Sequence, residues 1–269
     1  METTLIEWGT VSIASMLGMM ITLIIAVGLP VILLTLVYKK TKAKISSFFI
    51  GCGIFVLFAL ILEQIMHSIV IGITGTFLMD HIILYGLYGG VAAALFEETG
   101  RWIAMKFLMK KNLNKQNALM YGVGHGGIEA IIIVGLTYVS NLLTAIMINS
   151  GSLQTSLAVL DEGIQQATYE QLKPLWELPA WQFYIAGVER LIAFILHIAL
   201  SVLVYKAVKS GRKRFWLVAF LVHFAVDFLT VVISGYGAPI WLIEIVLLVI
   251  VLFLAFYVRK LYQEDMEEI

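Results

Sequence analysis

The side chains in this chain that could move protons or bind metals stand in apolar surroundings. Glu97 and Glu98 are adjacent, directly after the apolar run 82–96, and Arg101 follows within one helical turn. His125 and Glu129 are four residues apart, as are His223 and Asp227. In an α-helix this spacing puts imidazole and carboxylate on one face. Glu97 and Arg101 have the same relation, whereas Glu98 is turned by about 100°, so the two acids must have different roles. A carboxylate shielded from bulk water can activate a water molecule, and histidines can orient that water or donate to an oxyanion. Two imidazoles and a carboxylate with an open position also form a catalytic zinc shell. On that reading His125, His223 and Asp227, or Glu129 in place of Asp227, are the candidate metal ligands, and Glu97 is left as general base. The chain lacks His-Glu-x-x-His, the strongest local signal of a zinc protease. Spacing alone leaves open whether Glu97 or Glu98 is the base.

The elements that hold these groups must be membrane helices. The chain is 61% hydrophobic and 13% charged with zero formal net charge, about half the charge of a soluble domain. The charge balance gives no basis for binding nucleic acid. One cysteine, Cys52, excludes an intramolecular disulfide and a cysteine-based zinc cluster. Apolar runs of about 20 residues indicate transmembrane helices. Seven are expected, over roughly 11–37, 46–72, 80–105, 118–148, 180–205, 215–234 and 239–258. The first lacks a basic leader and reads as a retained span. The polar segment 149–179 forms the longest connection, with a short interfacial helix expected near 157–172. The fold class is therefore all-α, a single polytopic helical bundle over 1–269 with its chemistry on helices 80–148 and 180–234.

Lys and Arg placement predicts orientation. Fifteen of the 18 basic residues fall in 39–44, 106–115, 206–214 and 259–260. That distribution puts the N-terminus outside, the C-terminus in the cytoplasm and 149–179 outside. A charge at the bilayer centre costs about 2.5–3.5 kcal/mol on insertion scales, so intramembrane ionisable groups are functional candidates. At 1.5 Å per residue, Glu97, His125, His197 and His223 lie about 10–12 Å below the cytoplasmic ends of their four helices. His197 divides evenly between site and packing. Glu129 reads as a partner of His125. Glu63 and His67 read as a hydrogen-bonded pair far from the site, and Glu189 with Arg190 as a buried pair. The glycines of Tyr121-Gly-Val-Gly-His125-Gly-Gly admit close helix approach.

At these residues the chain resembles the superfamily of type II CAAX prenyl endopeptidases, bacteriocin-processing membrane proteins, PrsW-type proteases and the non-catalytic APH-1 subunit of γ-secretase. It is most similar to the YhfC-type branch, described as intramembrane metalloproteases. Glu97-Glu98-x-x-Arg101 looks like the Glu-Glu…Arg motif, in spacing closer to the PrsW form. Tyr121-x-x-x-His125 looks like Phe-x-x-x-His, and His223-x-x-x-Asp227 like His-x-x-x-Asn/Asp. The resemblance implies a multi-pass protein of a bacterial cytoplasmic membrane. It implies an intramembrane endopeptidase acting on a membrane-anchored protein or peptide, with catalytic Glu97, Glu98, His125, His223 and Asp227 supported by Arg101, Glu129 and His197. A glutamic mechanism without cofactor and a zinc-dependent one use much the same atoms. A proton- or ion-coupled transporter and an APH-1-like scaffold are the alternatives outside proteolysis.

Overall fold

The computed structural model describes residues 7–267. Among the described residues every regular element is helical. The helices are α1 (Ile13–Thr41), α2 (Ile45–Phe55), α3 (Gln64–Thr74), α4 (a single turn, Phe77–Asp80), α5 (Ile82–Ile103), α6 (Lys115–Glu129) and α7 (Leu136–Ser150), and, further along the chain, α11 (Trp181–Ser210), α12 (Arg214–Gly235) and α13 (Ile240–Glu267). Between α7 and α11 come α8 (Ser152–Leu157), α9 (Glu162–Leu172) and α10 (Pro174–Glu177). The expected helix near 157–172 is thus α9, whose N-cap Asp161 accepts from the Gly163 N–H.

Three π-helical segments interrupt this pattern without breaking the helices they join. Val56–Glu63 links α2 to α3, Ala104–Leu108 extends α5, and Ala130–Gly135 links α6 to α7. Each adjoins an ionisable residue: Glu63 ends the first, Arg101 precedes the second and Glu129 precedes the third. The wider turn re-aims side chains relative to a continuous α-helix.

Among the described residues six helices are long and apolar enough to cross a membrane: Ile13–Thr41, Ile45–Thr74, Lys115–Ser150, Trp181–Ser210, Arg214–Gly235 and Ile240–Gln263. With their outward apolar side chains, including Ile73, Leu136, Phe253 and Phe256, they make this a polytopic all-α membrane protein. They coincide with six of the seven expected spans. The seventh, α5, is also long but carries Glu97, Glu98, Arg101 and several glycines, which lowers its apolarity.

The chain forms two compact units, one comprising Met1–Val27 with Ala130–Arg190 and the other Gly28–Glu129 with Leu191–Ile269. In the first, Val11, Met19, Ala145, Ile148, Leu175 and Phe183 form the core. There the Asn149 side chain bonds both backbone groups of Val11, at 2.9 Å each. Glu189 and Arg190 pair with each other through Arg190 Nε at 2.6 Å.

The second unit holds the candidate chemistry. Its main packings are α2 on α6 and α5 on α12. A β-carbon on Gly51 would lie 2.3 Å from the Tyr121 carbonyl oxygen, and one on Gly124 2.0 Å from that of Phe48. The α2 and α6 backbones are therefore in direct contact. Gly122 meets α11 in the same way, with a β-carbon 2.8 Å from Ile198 Cα. The glycines around His125 thus do what close packing in a membrane requires: they bring α2 and α11 against the imidazole's own helix. At the end of this pair, Asn117 Oδ1 accepts from the Lys44 N–H at 2.8 Å.

Candidate active site

Glu97 and Glu98 lie on the last turns of α5, both buried, and Arg101 is completely buried beside them. The guanidinium reaches both acids: Nη1 donates to Glu98 Oε1, and Nη2 to Glu97 Oε2 at 3.2 Å. Beyond that shared partner the two carboxylates differ, as their rotation around the helix requires. Glu98 Oε1 also contacts His223 Nδ1 at 2.8 Å. Its backbone carbonyl accepts from Trp216 Nε1 at 3.1 Å. Glu98 therefore ties α5 to α12 at two points.

Glu97 faces the histidines. Its Oε2 lies 2.8 Å from His125 Nε2 on α6. His197 Nδ1 on α11 is 3.9 Å from the same oxygen, and His223 Nε2 on α12 is 4.0 Å away. One carboxylate oxygen thus lies within 4.0 Å of an imidazole nitrogen from each of three other helices. The His125 and His197 rings are 5.2 Å apart, and those of His197 and His223 5.7 Å. Phe55 packs edge-on against His125 at 5.1 Å.

His197 links this group to a further acid. Its Nε2 is 2.5 Å from Glu129 Oε2, and its Nδ1 faces Arg101 Nη2 at 2.6 Å. A guanidinium only donates, so Nδ1 must offer its lone pair, and a neutral His197 carries its hydrogen on Nε2, the nitrogen beside Glu129. Sequence spacing pairs Glu129 with His125; the contact found is with His197, because the imidazole of His125 is turned to Glu97. Asp227 lies at the edge of the cluster, 3.5 Å from His223 Nε2, with a third of its side chain exposed (34%).

All eight expected residues, Glu97, Glu98, Arg101, His125, Glu129, His197, His223 and Asp227, therefore belong to one connected cluster. One residue read as remote belongs near it. Glu63 is buried and within electrostatic reach of Glu97, His223 and Asp227. It also contacts His67 Nε2 at 3.1 Å, and His67 Nδ1 is 2.6 Å from the Tyr88 hydroxyl. The pairing with His67 is as expected. Glu63 ends the π-helical segment Val56–Glu63, which packs on α5, the helix of Glu97.

Among the described residues, Glu97, His125 and His197 each offer a ligand atom within 4.8 Å of the others. The donors fit a metal of the zinc type: one carboxylate oxygen and two imidazole nitrogens, all buried. Glu129 stands behind His197 as metal-bound histidines commonly require, and the tautomer it holds leaves Nδ1 free of hydrogen. Arg101 Nη2, which now takes that lone pair, would have to yield it to an ion.

A family model described as "YhfC intramembrane metalloprotease" matches residues 24–248, a stretch that contains the whole cluster. This chain belongs to that family. It is 37% identical over 201 residues to a protein of Bacillus subtilis (strain 168) named "Uncharacterized membrane protein YhfC", covering 74% of this chain and 77% of that one. No solved structure matches it. Membership agrees with the polytopic membrane fold, and the buried Glu97–His125–His197 group is compatible with the metal that the family's description names.

Proposed function

We propose that this protein is an intramembrane endopeptidase that hydrolyses a peptide bond of a membrane-anchored protein or peptide, with Glu97 at the reacting centre. The observation that carries the reading is the convergence of three histidines from α6, α11 and α12 on one carboxylate oxygen of α5. Arg101 and Glu98 hold that carboxylate in place from behind.

In the metal-free form of the chemistry, Glu97 takes a proton from water as the oxygen attacks the scissile carbonyl. The imidazole of His223 then supplies an N–H donor to the developing oxyanion, a role worth several kcal/mol elsewhere, while that of His125, bonded to Glu97, keeps the carboxylate aimed at its water. The proton on Glu97 passes to the leaving amine. Asp227, at the exposed edge, orients His223 and faces the side from which a substrate strand would enter. Glu98 stays bonded to Arg101 and His223 throughout and serves as a positioning residue.

A second reading is favoured by the mutual approach of Glu97, His125 and His197. These would hold a zinc-type ion, which when bound would polarise a water and the substrate carbonyl. Glu129 would then fix the His197 tautomer, and His223 with Asp227 would remain the groups nearest the substrate.

The deciding experiment reconstitutes the purified protein with a panel of membrane-anchored peptides and follows cleavage by mass spectrometry. Wild type is compared with Glu97→Gln, with and without a strong chelator. Cleavage lost in the variant and insensitive to chelation supports the carboxylate mechanism. Cleavage lost under chelation and restored by zinc supports the metal one. No cleavage of any peptide, together with ion flux that Glu97→Gln abolishes, would replace proteolysis by transport.

A further inference from the structure

A cavity of about 520 Å³ lies beside the catalytic cluster, lined by Thr99, Trp102 and Lys106 from the α5 end, by Ala207, Val208 and Gly211 at the end of α11, and by Lys213 and Trp216 at the start of α12. Among the described residues its only charged lining groups are two lysines, and two of its walls are indoles. Lys106 Nζ lies 4.2 Å from the centre of the Trp102 ring, so its ammonium already sits over an aromatic face at the cavity. Both α11 and α12 are long and apolar enough to span a membrane, and the cavity is where one ends and the other begins. Lysine and tryptophan at such a position mark the membrane–water boundary.

We propose that this cavity binds the phosphate headgroup of an anionic phospholipid. Charge complementarity argues for it: among the described residues two cations and no acid line the cavity, so a phosphodiester meets two ammonium groups there, whereas a zwitterionic headgroup would bring its own cation to the lysines. The indoles, with Ala207 and Val208, suit the glycerol and the first methylenes of the acyl chains. Basic pockets between membrane helices recognise acidic headgroups in the same way. Trp216 connects the cavity to the reacting centre, because its Nε1–H bonds the backbone carbonyl of Glu98. The proposal does not depend on the chemistry assigned to Glu97.

The test uses the full-length protein purified in a neutral detergent. Phosphatidylglycerol or phosphatidylcholine is added, and bound lipid is counted by native mass spectrometry alongside the thermal midpoint. The wild type should retain phosphatidylglycerol in preference to phosphatidylcholine. The Lys106→Gln/Lys213→Gln variant should lose that preference by on the order of tenfold, and Lys106→Arg/Lys213→Arg should keep it. Lipid-free midpoints of all three proteins should agree, which separates lost binding from lost folding; a fallen midpoint is met by applying the same comparison to the two single variants. Equal retention of the two lipids, or a preference that survives in the glutamine variant, would overturn the proposal. Inorganic phosphate at millimolar concentration should leave the bound lipid in place; if it displaces the lipid fully, the site is one for free phosphate.

Discussion

At the scale of single residues, Glu97 and Glu98 separate into two roles through their partners. Both bond Arg101, but Glu97 faces three imidazoles, whereas Glu98 is held by His223 and, at its backbone carbonyl, by the indole of Trp216. Replacing each by glutamine should therefore have different consequences. Glu97→Gln removes a proton acceptor while preserving shape, and should lower the cleavage rate by about 10²-fold or more; its contact with Arg101 is the longer one, at 3.2 Å, so its thermal midpoint should fall less than that of Glu98→Gln. Glu98→Gln leaves the guanidinium of Arg101 buried with one acid fewer, and should cost about 3 kcal/mol of stability, read as an earlier melt in detergent. Equal midpoints for the two variants would contradict this division. His197 gives a second test. If an ion is held by Glu97, His125 and His197, metal analysis of purified protein should find it in wild type and not in His197→Ala. Glu129→Gln should then weaken binding by about 10–100-fold by loosening the tautomer of that imidazole. The motif residues were legible in the sequence because charge is costly in a bilayer and so stands out. The partner of Glu129 was not legible, since helical spacing says which face a side chain occupies and not which neighbour arrives there.

At the scale of elements, the site depends on how closely helices approach. The α2–α6 contact requires hydrogen at Gly51 and Gly124, because a β-carbon at either would meet backbone, which cannot swing aside. Gly124→Ala should destabilise the protein by about 1–3 kcal/mol or more and shift His125 away from Glu97. Gly53→Ala, on helix α2, faces open space and nothing lies within 4 Å of its β-carbon. It should melt like wild type. A thermal scan of the pair checks whether the crossing, rather than glycine itself, matters. Helix positions followed the apolar runs closely, since each run must span the same thickness of hydrocarbon. The π-helical segments did not follow from them. They leave apolarity unchanged and alter only the register, and one of them ends at Glu63 and packs on α5.

At the scale of the whole molecule, basic residues predict that α5 crosses the membrane as a seventh span despite its two acids. Single cysteines in a Cys52→Ser background test this; serine retains a donor for the Gly124 carbonyl, which the thiol contacts at 3.2 Å. Cysteines placed at 111 and 209 should react with an impermeant reagent from one side, and those at 76 and 161 from the other. Reaction of 76 and 111 from the same side would remove α5 from the spans. Composition and periodicity alone were enough for the membrane class, the helix positions and the identities of the groups that could do chemistry, because these depend on transfer of local segments out of water. Which carboxylate oxygen three histidines share, which acid backs His197, and that Trp216 joins a basic cavity to Glu98 are relations between helices far apart in the chain. They are decided by close packing at glycine crossings and by local changes of helical register, and neither of these changes the hydropathy from which the spans were read.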